Sequence, residues 1–423
     1  MKPAVRFAAR KESFGSLVYD RERGEYIPFD QDASIIFEES TKRPLSEIYT
    51  TMESRLNKQS FDTFVELCRS IELMTEDGRF AGEFVTPRPV PNILSAPLRV
   101  HLTVTNECAL RCRHCSQDSR DPLPNELSLE EIQKLFDEMA EIGTCEVTIA
   151  GGEPFLRNDL LQIVSYARQK GISVLLSTTA TSVSRVVAKK IAELGLKSIR
   201  VSFDGSTEKS YDYYRGKKGS YRKAIRGIKT LREIFDKTPM TLHTTLMKSN
   251  MTEILTLARM VQKLRLNTWS VDFIKPVGFA SDARQLWLTK EEGAEAYKNL
   301  CKIVDNANIK MEMAHFPLKS QRKATFLGFS CLGANLYCFI SANGSVAPCA
   351  FTSHQFPGGN IRQKSLRAIW AESELFRKFR GIVSGSEACA KCMRYATQNL
   401  NGEPVDKMVF VMPTATAAPA SVS

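Results

Sequence analysis

From residue 98 to 315 the sequence alternates short apolar runs with longer helical patterns, and this alternation constrains the fold more than any other feature. The runs at 99–105, 146–150, 173–178, 198–203, 241–246 and 270–274 have strand character. Between them, stretches such as LSLEEIQKLFDEMAEIG and SYRKAIRGIKTLREIFD repeat apolar residues at helical spacing. Ser128 and Glu131 predict a capping box at the start of the first helix. Strands alternating with helices build a parallel sheet with right-handed crossovers. Six such units predict an α/β fold, an incomplete (β/α)6 barrel, with its functional groups at the carboxyl ends of the strands.

The flanks read differently. At 423 residues the chain exceeds what one core supports, so further domains are expected. Region 1–84 opens with two short strands, FGSLVYD and EYIPF, around a polar turn, and helical patterns follow at 31–39, 45–57 and 61–73. Residues 85–97 hold four prolines and predict an extended linker. The barrel is expected over 98–315. Region 316–410 has weak periodicity and five cysteines, a composition that suits a small domain held by a metal centre. The tail 411–423 is small and polar and is expected to be disordered.

Eleven cysteines in a chain without a secretory signal point to metal or redox chemistry rather than disulfides. No apolar run is long enough to span a membrane, and a cytoplasmic location is expected. Residues 1–97 carry 13 basic and 16 acidic side chains, whereas 98–423 carry 45 and 31. That basic excess suits acidic partners, but no Lys/Arg block resembles a nucleic-acid arm.

The stretch TNECALRCRHC sets Cys108, Cys112 and Cys115 in a C-x3-C-x2-C spacing directly after the first barrel strand. Thiolates are the natural ligands of iron–sulfur clusters, and three of them leave one iron of a cubane open for a ligand. Zinc on the same thiols is the alternative. The spacing resembles the signature of the radical S-adenosylmethionine (AdoMet) superfamily, with His114 where an aromatic residue usually precedes the third cysteine. Gly151-Gly152-Glu153-Pro154 is similar to the superfamily's GGEP motif, which takes the AdoMet amino group. Resemblance also implies that Ser177, Thr178, Ser202 and Asp204 lie near the ribose. It implies that Arg215 pairs with the AdoMet carboxylate and that Asn250 joins the site at the end of the fifth strand. Turn or capping roles are the plainer alternatives for these residues.

In the C-terminal region Cys331, Cys349, Cys389 and Cys392 resemble the pattern of SPASM and twitch extensions, which hold auxiliary iron–sulfur clusters. The cysteine count implies one auxiliary [4Fe–4S] cluster, with Cys338 as a rival ligand. Cys68, Cys145 and Cys301 sit in apolar contexts and read as core residues.

Region 1–84 resembles the RiPP recognition element, a winged-helix-like module that captures a precursor's leader peptide as an added strand. Taken together, the resemblances imply a radical AdoMet maturase acting on a ribosomally made peptide. Its partners would be a leader-bearing precursor and a reductant such as flavodoxin or ferredoxin. A radical AdoMet enzyme of a tetrapyrrole or other small molecule is the nearer alternative. A non-catalytic leader-peptide or iron–sulfur binding protein is the more distant one.

Overall fold

The computed structural model describes residues 5–306, 310–313, 332–353 and 357–382. The N-terminal part folds as β1 (Phe7–Glu12), β2 (Gly15–Asp20), β3 (Glu25–Phe29), α1 (Gln31–Ser40), α2 (Leu45–Met52), α3 (Lys58–Ser70) and β4 (Gly82–Val85). Its sheet has the order β3-β2-β1-β4. Phe37, Phe61, Val65 and Phe80 fill the space between this sheet and the three helices. The helix expected over 45–57 ends at Met52, because Asn57 starts the next one by accepting from Ser60 N at 2.8 Å. Strand β1 is hidden in the sequence by its charges. Arg10 and Glu12 are buried there as a pair 2.7 Å apart, an arrangement that no apolar pattern reveals.

The barrel follows as β5 (Arg99–Thr103), α4 (Leu129–Glu141), β6 (Glu146–Ala150), α5 (Leu160–Gln169), β7 (Ser173–Thr178), α6 (Arg185–Leu194) and β8 (Ser198–Ser202). It continues through α7 (Glu208–Arg215), α8 (Ser220–Ile234), β9 (Met240–Leu246), α9 (Ile254–Lys263), β10 (Thr268–Phe273), α10 (Phe279–Asp282), α11 (Lys290–Asn306) and β11 (Lys310–Met313). Strands β5 to β11 are all parallel and adjacent in chain order. Along each strand alternate residues turn outward to the helices. Val100, Leu102, Val147, Ile149, Ile199 and Val201 form that outer core. The expected capping box at Ser128 and Glu131 is present.

The C-terminal part extends the same sheet. β12 (Tyr337–Ile340) pairs in parallel with β5, and β13 (Ser345–Ala347) and β14 (Gly359–Asn360) continue outward. Helices α12 (Leu366–Glu372) and α13 (Glu374–Ile382) pack behind it through Trp370, Phe376 and Phe379.

The N-terminal sheet is docked against the floor of the barrel, at the amino ends of the strands. Tyr19 Oη donates to Glu146 Oε1 at 2.9 Å, Tyr26 Oη to Leu98 O at 2.7 Å, and Arg21 Nε to Gly171 O at 2.9 Å. Lys197 shares Oε1 of Glu146 with Tyr19, and Arg99 holds Oε2. Their charges keep the carboxylate below its usual range, although burial opposes them. The linker contributes to this seam. Ser95 N donates to Glu12 Oε2 at 2.8 Å, and Trp370 Nε1 donates to Leu94 O at 2.7 Å. Among the described residues no helix is long and apolar enough to cross a membrane.

Candidate functional site

The loop after β5 carries the three clustered cysteines and is clamped from two sides. On one side Gly152 N donates to Thr105 O and Glu153 N to Glu107 O, both at 2.8 Å. On the other, Arg111 N donates to Arg215 O at 2.9 Å and Arg113 N to Tyr214 O at 3.0 Å. The close approach explains a motif glycine. A Cβ on Gly152 would stand 2.3 Å from Glu107 O, so the turn after β6 admits no side chain there. That glycine therefore serves contact between two segments of this chain, where the sequence alone suggested contact with a ligand.

Cys108 is buried, and Cys112 and Cys115 are half-buried. Burial pushes the Cys108 thiol up to about 11 and that of Cys112 up to about 12. Cys108 also feels the charge of Cys115, and Cys112 that of both Cys115 and Cys108. Arg215 Nη1 lies 3.7 Å from Cys112 Sγ and favours its thiolate. Among the described residues no three His, Cys, Asp or Glu side chains converge tightly enough for a single metal ion. Three thiols in one short loop are the donor set that an iron–sulfur cubane takes.

Behind the loop, Glu153 is fully buried with both oxygens engaged. Thr178 Oγ1 donates to Oε1 at 2.7 Å, and Thr179 donates to Oε2 through its backbone N at 2.8 Å and through its hydroxyl. Burial raises the Glu153 pKa, and these bonds oppose the rise. A buried carboxylate without a charged partner favours a cation as its ligand. Thr178 holds this carboxylate, and so does Thr179, which the sequence reading passed over. Two adjacent threonines at the end of β7 were the available signal. Pro154 is buried at the head of a 3-10 turn over Pro154–Leu156.

Asp204, just past β8, is the second buried carboxylate. Its Oδ2 lies 2.9 Å from His114 Nε2 and 2.6 Å from Arg215 Nη2, and Oδ1 accepts from Thr245 N at 2.7 Å. Burial works against the charge, but Arg215, His114 and the Thr245 bond outweigh it and hold the carboxyl well below its ordinary range. Asn250 donates to Asp204 O and to Thr245 O, both at 2.9 Å, and accepts from Met247 N at 2.7 Å. Asn250 thus braces the ends of β8 and β9 from the 3-10 turn that follows β9. Ser177 and Ser202 are half-buried near the ends of β7 and β8, on the face opposite the outer core. Among the described residues, the buried polar atoms near the cysteines that lack hydrogen-bond partners include His114 Nδ1, Arg215 Nε and Tyr211 Oη. Such atoms suit a polar ligand.

Cys349 follows β13 and accepts a hydrogen bond from Tyr337 Oη at 3.0 Å. Gln117, two residues beyond Cys115, donates to Ala350 O at 2.8 Å. This contact joins the two cysteine-bearing loops, and no sequence signal marks it. Cys338 is fully buried on the outer face of β12 within the helix-packed core, and burial pushes its thiol far up. Cys331, Cys389 and Cys392 lie outside the described residues.

A parallel barrel whose first loop presents three thiols beside a buried carboxylate defines an enzyme built around an iron–sulfur cluster. The comparisons agree. The family model of the radical SAM superfamily matches residues 102–261, and that of the SPASM iron–sulfur cluster-binding domain matches residues 331–393. The chain is an enzyme that carries a radical SAM domain and a SPASM domain, and these domains imply a [4Fe–4S] cluster, AdoMet and auxiliary iron–sulfur ligation. It is 28% identical to the AdoMet-dependent heme synthase of Methanosarcina barkeri, over 70% of this chain and 91% of the relative. It is 28% identical to the mycofactocin maturase MftC of Mycolicibacterium smegmatis, over 72% and 79%, and 27% identical to the PqqA peptide cyclase of Rhizobium meliloti, over 73% and 82%. The fold superimposes on Streptococcus suis SuiB bound to its precursor peptide SuiA with a TM-score of 0.70. That match has 16% identity and covers 89% of this chain and 90% of SuiB.

Proposed function

We propose that this enzyme modifies a ribosomally made precursor peptide. The observation that carries the reading is the N-terminal sheet-and-helix module seated on the barrel. The likeness to SuiB covers 89% of the chain, more than the barrel and C-terminal part alone could supply, so it reaches into this module. A small-molecule enzyme has no need of such a module. Strand β3 is an edge of its sheet, and its Phe29 ring lies 6.3 Å from that of Phe64 on α3, a helix on which Leu67 is 57% exposed. An edge strand can pair with an extended leader, and apolar pockets beside it read alternate side chains.

In this reading Cys108, Cys112 and Cys115 hold the open cluster, and Cys331, Cys349, Cys389 and Cys392 hold an auxiliary one. The chemistry that such a cluster and AdoMet would supply there is a 5′-deoxyadenosyl radical able to take hydrogen from the substrate. Glu153, oriented by Thr178 and Thr179, accepts from the AdoMet ammonium. Asp204 fixes His114 and Arg215 and leaves Nδ1 and Nε for the rest of AdoMet. The modification would be a thioether, C–C or C–O cross-link or a rearrangement. Ala350 stands where sulfatase-maturing relatives carry an aspartate base, so formylglycine is not the expected product.

The test is anaerobic incubation with AdoMet, dithionite and leader-bearing peptides encoded near the gene, read by mass spectrometry. A mass change that requires the leader supports the reading, and Leu67→Arg should raise the precursor KM without altering AdoMet binding. The relationship to a heme synthase favours a second reading, in which the substrate is a tetrapyrrole. Turnover of an iron coproporphyrin with no peptide modified would put that reading ahead.

A further inference from the structure

Midway along the barrel strands the inward face is mostly polar and is not packed shut. On β7 to β10 the side chains turned away from the outer core include Ser177, Arg200, Thr241, His243 and Ser270. A closed α/β barrel fills such positions with Val, Ile and Leu and gains a core from them. Here Arg200 is exposed although it is the middle residue of β8, paired with Ser177 on one side and Thr241 on the other. Its neighbours Ile199 and Val201 are fully buried in the outer core, so the side chain of Arg200 is exposed to the lumen.

The lumen is closed below and leads upward to the cysteine site. Below Arg200, Lys197 meets Glu146 and Tyr19 at the floor. Above it, Ser202 ends β8, and Asp204 holds His114 and Arg215. Two residues of strand set Arg200 roughly 7 Å below Ser202. A substrate whose reacting atom waits at the carboxyl ends of the strands can therefore extend down to the guanidinium.

The charges of this layer have a definite sign. His101 on β5 and His243 on β9 face into the same space. Burial, with the charge of Arg200 adding to it, pushes both imidazoles down to about 4. At neutral pH they carry no charge. His243 Nδ1 stays 3.3 Å from Ser270 Oγ, and the His101 ring lies 5.3 Å from that of Phe339. Among the described acids turned into the lumen, Glu146 is held by Arg99 and Lys197, and Asp272 lies 3.4 Å from Lys275.

We infer that Arg200 receives a carboxylate of the substrate and so selects which substrate the enzyme takes. The planar fork of a guanidinium matches a carboxylate with two parallel hydrogen bonds. In the peptide reading the carboxylate is an Asp or Glu side chain, or the C-terminus, of the modified segment. In the tetrapyrrole reading it is a propionate. The inference rests on the site described above and on neither identity.

The experiment uses the cluster-loaded enzyme with AdoMet and two probes, the precursor peptide encoded near the gene and iron coproporphyrin. Binding of each is titrated to wild type, Arg200→Met and Arg200→Lys. Matched probes without charge are the peptide with its carboxylates converted to amides and the methyl ester of the porphyrin. Whichever charged probe wild type binds should bind Arg200→Met roughly 10–100-fold more weakly. Arg200→Lys, which keeps the charge but not the fork, should lose less. Neutralising the probe should weaken its binding to wild type by a similar factor and its binding to Arg200→Met very little, so that the two losses do not add. Wild-type iron content and AdoMet affinity in the variants show that the site has formed. Full probe affinity in Arg200→Met overturns the inference, and so do additive losses, which would mean that Arg200 acts only on the fold. Loss of iron and AdoMet binding in both variants overturns it for the same reason. Failure of both charged probes to bind wild type overturns it as well. A peptide that is bound and modified equally well with all its carboxylates amidated overturns the inference and leaves the maturase reading standing. Arg200-dependent binding of the porphyrin alone leaves the inference standing and removes the maturase reading.

Discussion

Oδ2 of Asp204 lies 2.6 Å from Nη2 of Arg215, and both groups are buried at the carboxyl ends of the barrel strands. The pair links the loop after β8 to the last turn of α7. Since Arg215 also reaches Cys112, one carboxylate sets the position of a guanidinium beside the cysteine loop.

Removing that carboxylate should be costly. Asp204→Asn leaves the buried Arg215 without a counter-charge, a change that typically destabilises by about 3–5 kcal/mol. The pH dependence has a definite sign. Because the folded carboxyl lies below its unfolded value near about 4, its stabilisation is complete above that pH and is lost as pH falls further. Urea unfolding of the apo-protein at pH 7 and about pH 3.5 should show a smaller acid loss in the variant. Equal losses would contradict the assignment.

Glu153 calls for a binding measurement. Glu153→Gln removes the charge proposed to receive the AdoMet ammonium, and affinity should fall roughly 10–100-fold by equilibrium dialysis. Thr179→Val, which removes the hydroxyl bond to one oxygen of that carboxylate and keeps the backbone one, should weaken binding by less. Identical AdoMet affinities in wild type and Glu153→Gln would remove Glu153 from the site.

Gly152→Ala tests whether the cysteine loop depends on contact with the turn after β6. The added Cβ cannot be accommodated beside Glu107 O without moving the loop. The variant should lose about half its iron after reconstitution while keeping the auxiliary cluster signal in electron paramagnetic resonance. Full iron content would show that the loop adapts.

Cys349 and Cys338 should behave oppositely. Cys349→Ala should remove the auxiliary cluster. Cys338→Ala should keep all its iron and lose only packing, on the order of 1–2 kcal/mol. Iron loss in the Cys338 variant would make that residue the ligand and Cys349 the bystander.

The seam beneath the barrel predicts that the N-terminal module cannot be removed without consequence. Deleting residues 1–84 strips Tyr19 and Arg21 from the floor and exposes Glu146. The truncated chain should melt several degrees lower than the whole protein in apo form. Phe64→Arg, which disturbs the groove beside α3, should instead impair precursor binding with a smaller thermal effect. A truncated chain as stable as the parent would show that the module is merely tethered.

Local pattern determined a large part of this protein. The six alternating strands, the capping box at Ser128, the C-x3-C-x2-C loop and GGEP are all readable because each depends on neighbours within a few residues. The strands β1 and β4, the pairing of β12 with β5, the docking of Tyr19 on Glu146 and the Gln117 bridge to Ala350 were decided only by the tertiary structure. At the Tyr19–Glu146 contact a polar group is buried because a partner far along the chain satisfies it. Arg10 looks like surface in the sequence and is interior only because Glu12 and Gly143 O receive it. Asp204 looks like a turn residue until His114, ninety positions earlier, is brought to 2.9 Å. Hydrophobic periodicity records which face of an element is buried, but not which distant charge compensates another, and on those compensations the site depends.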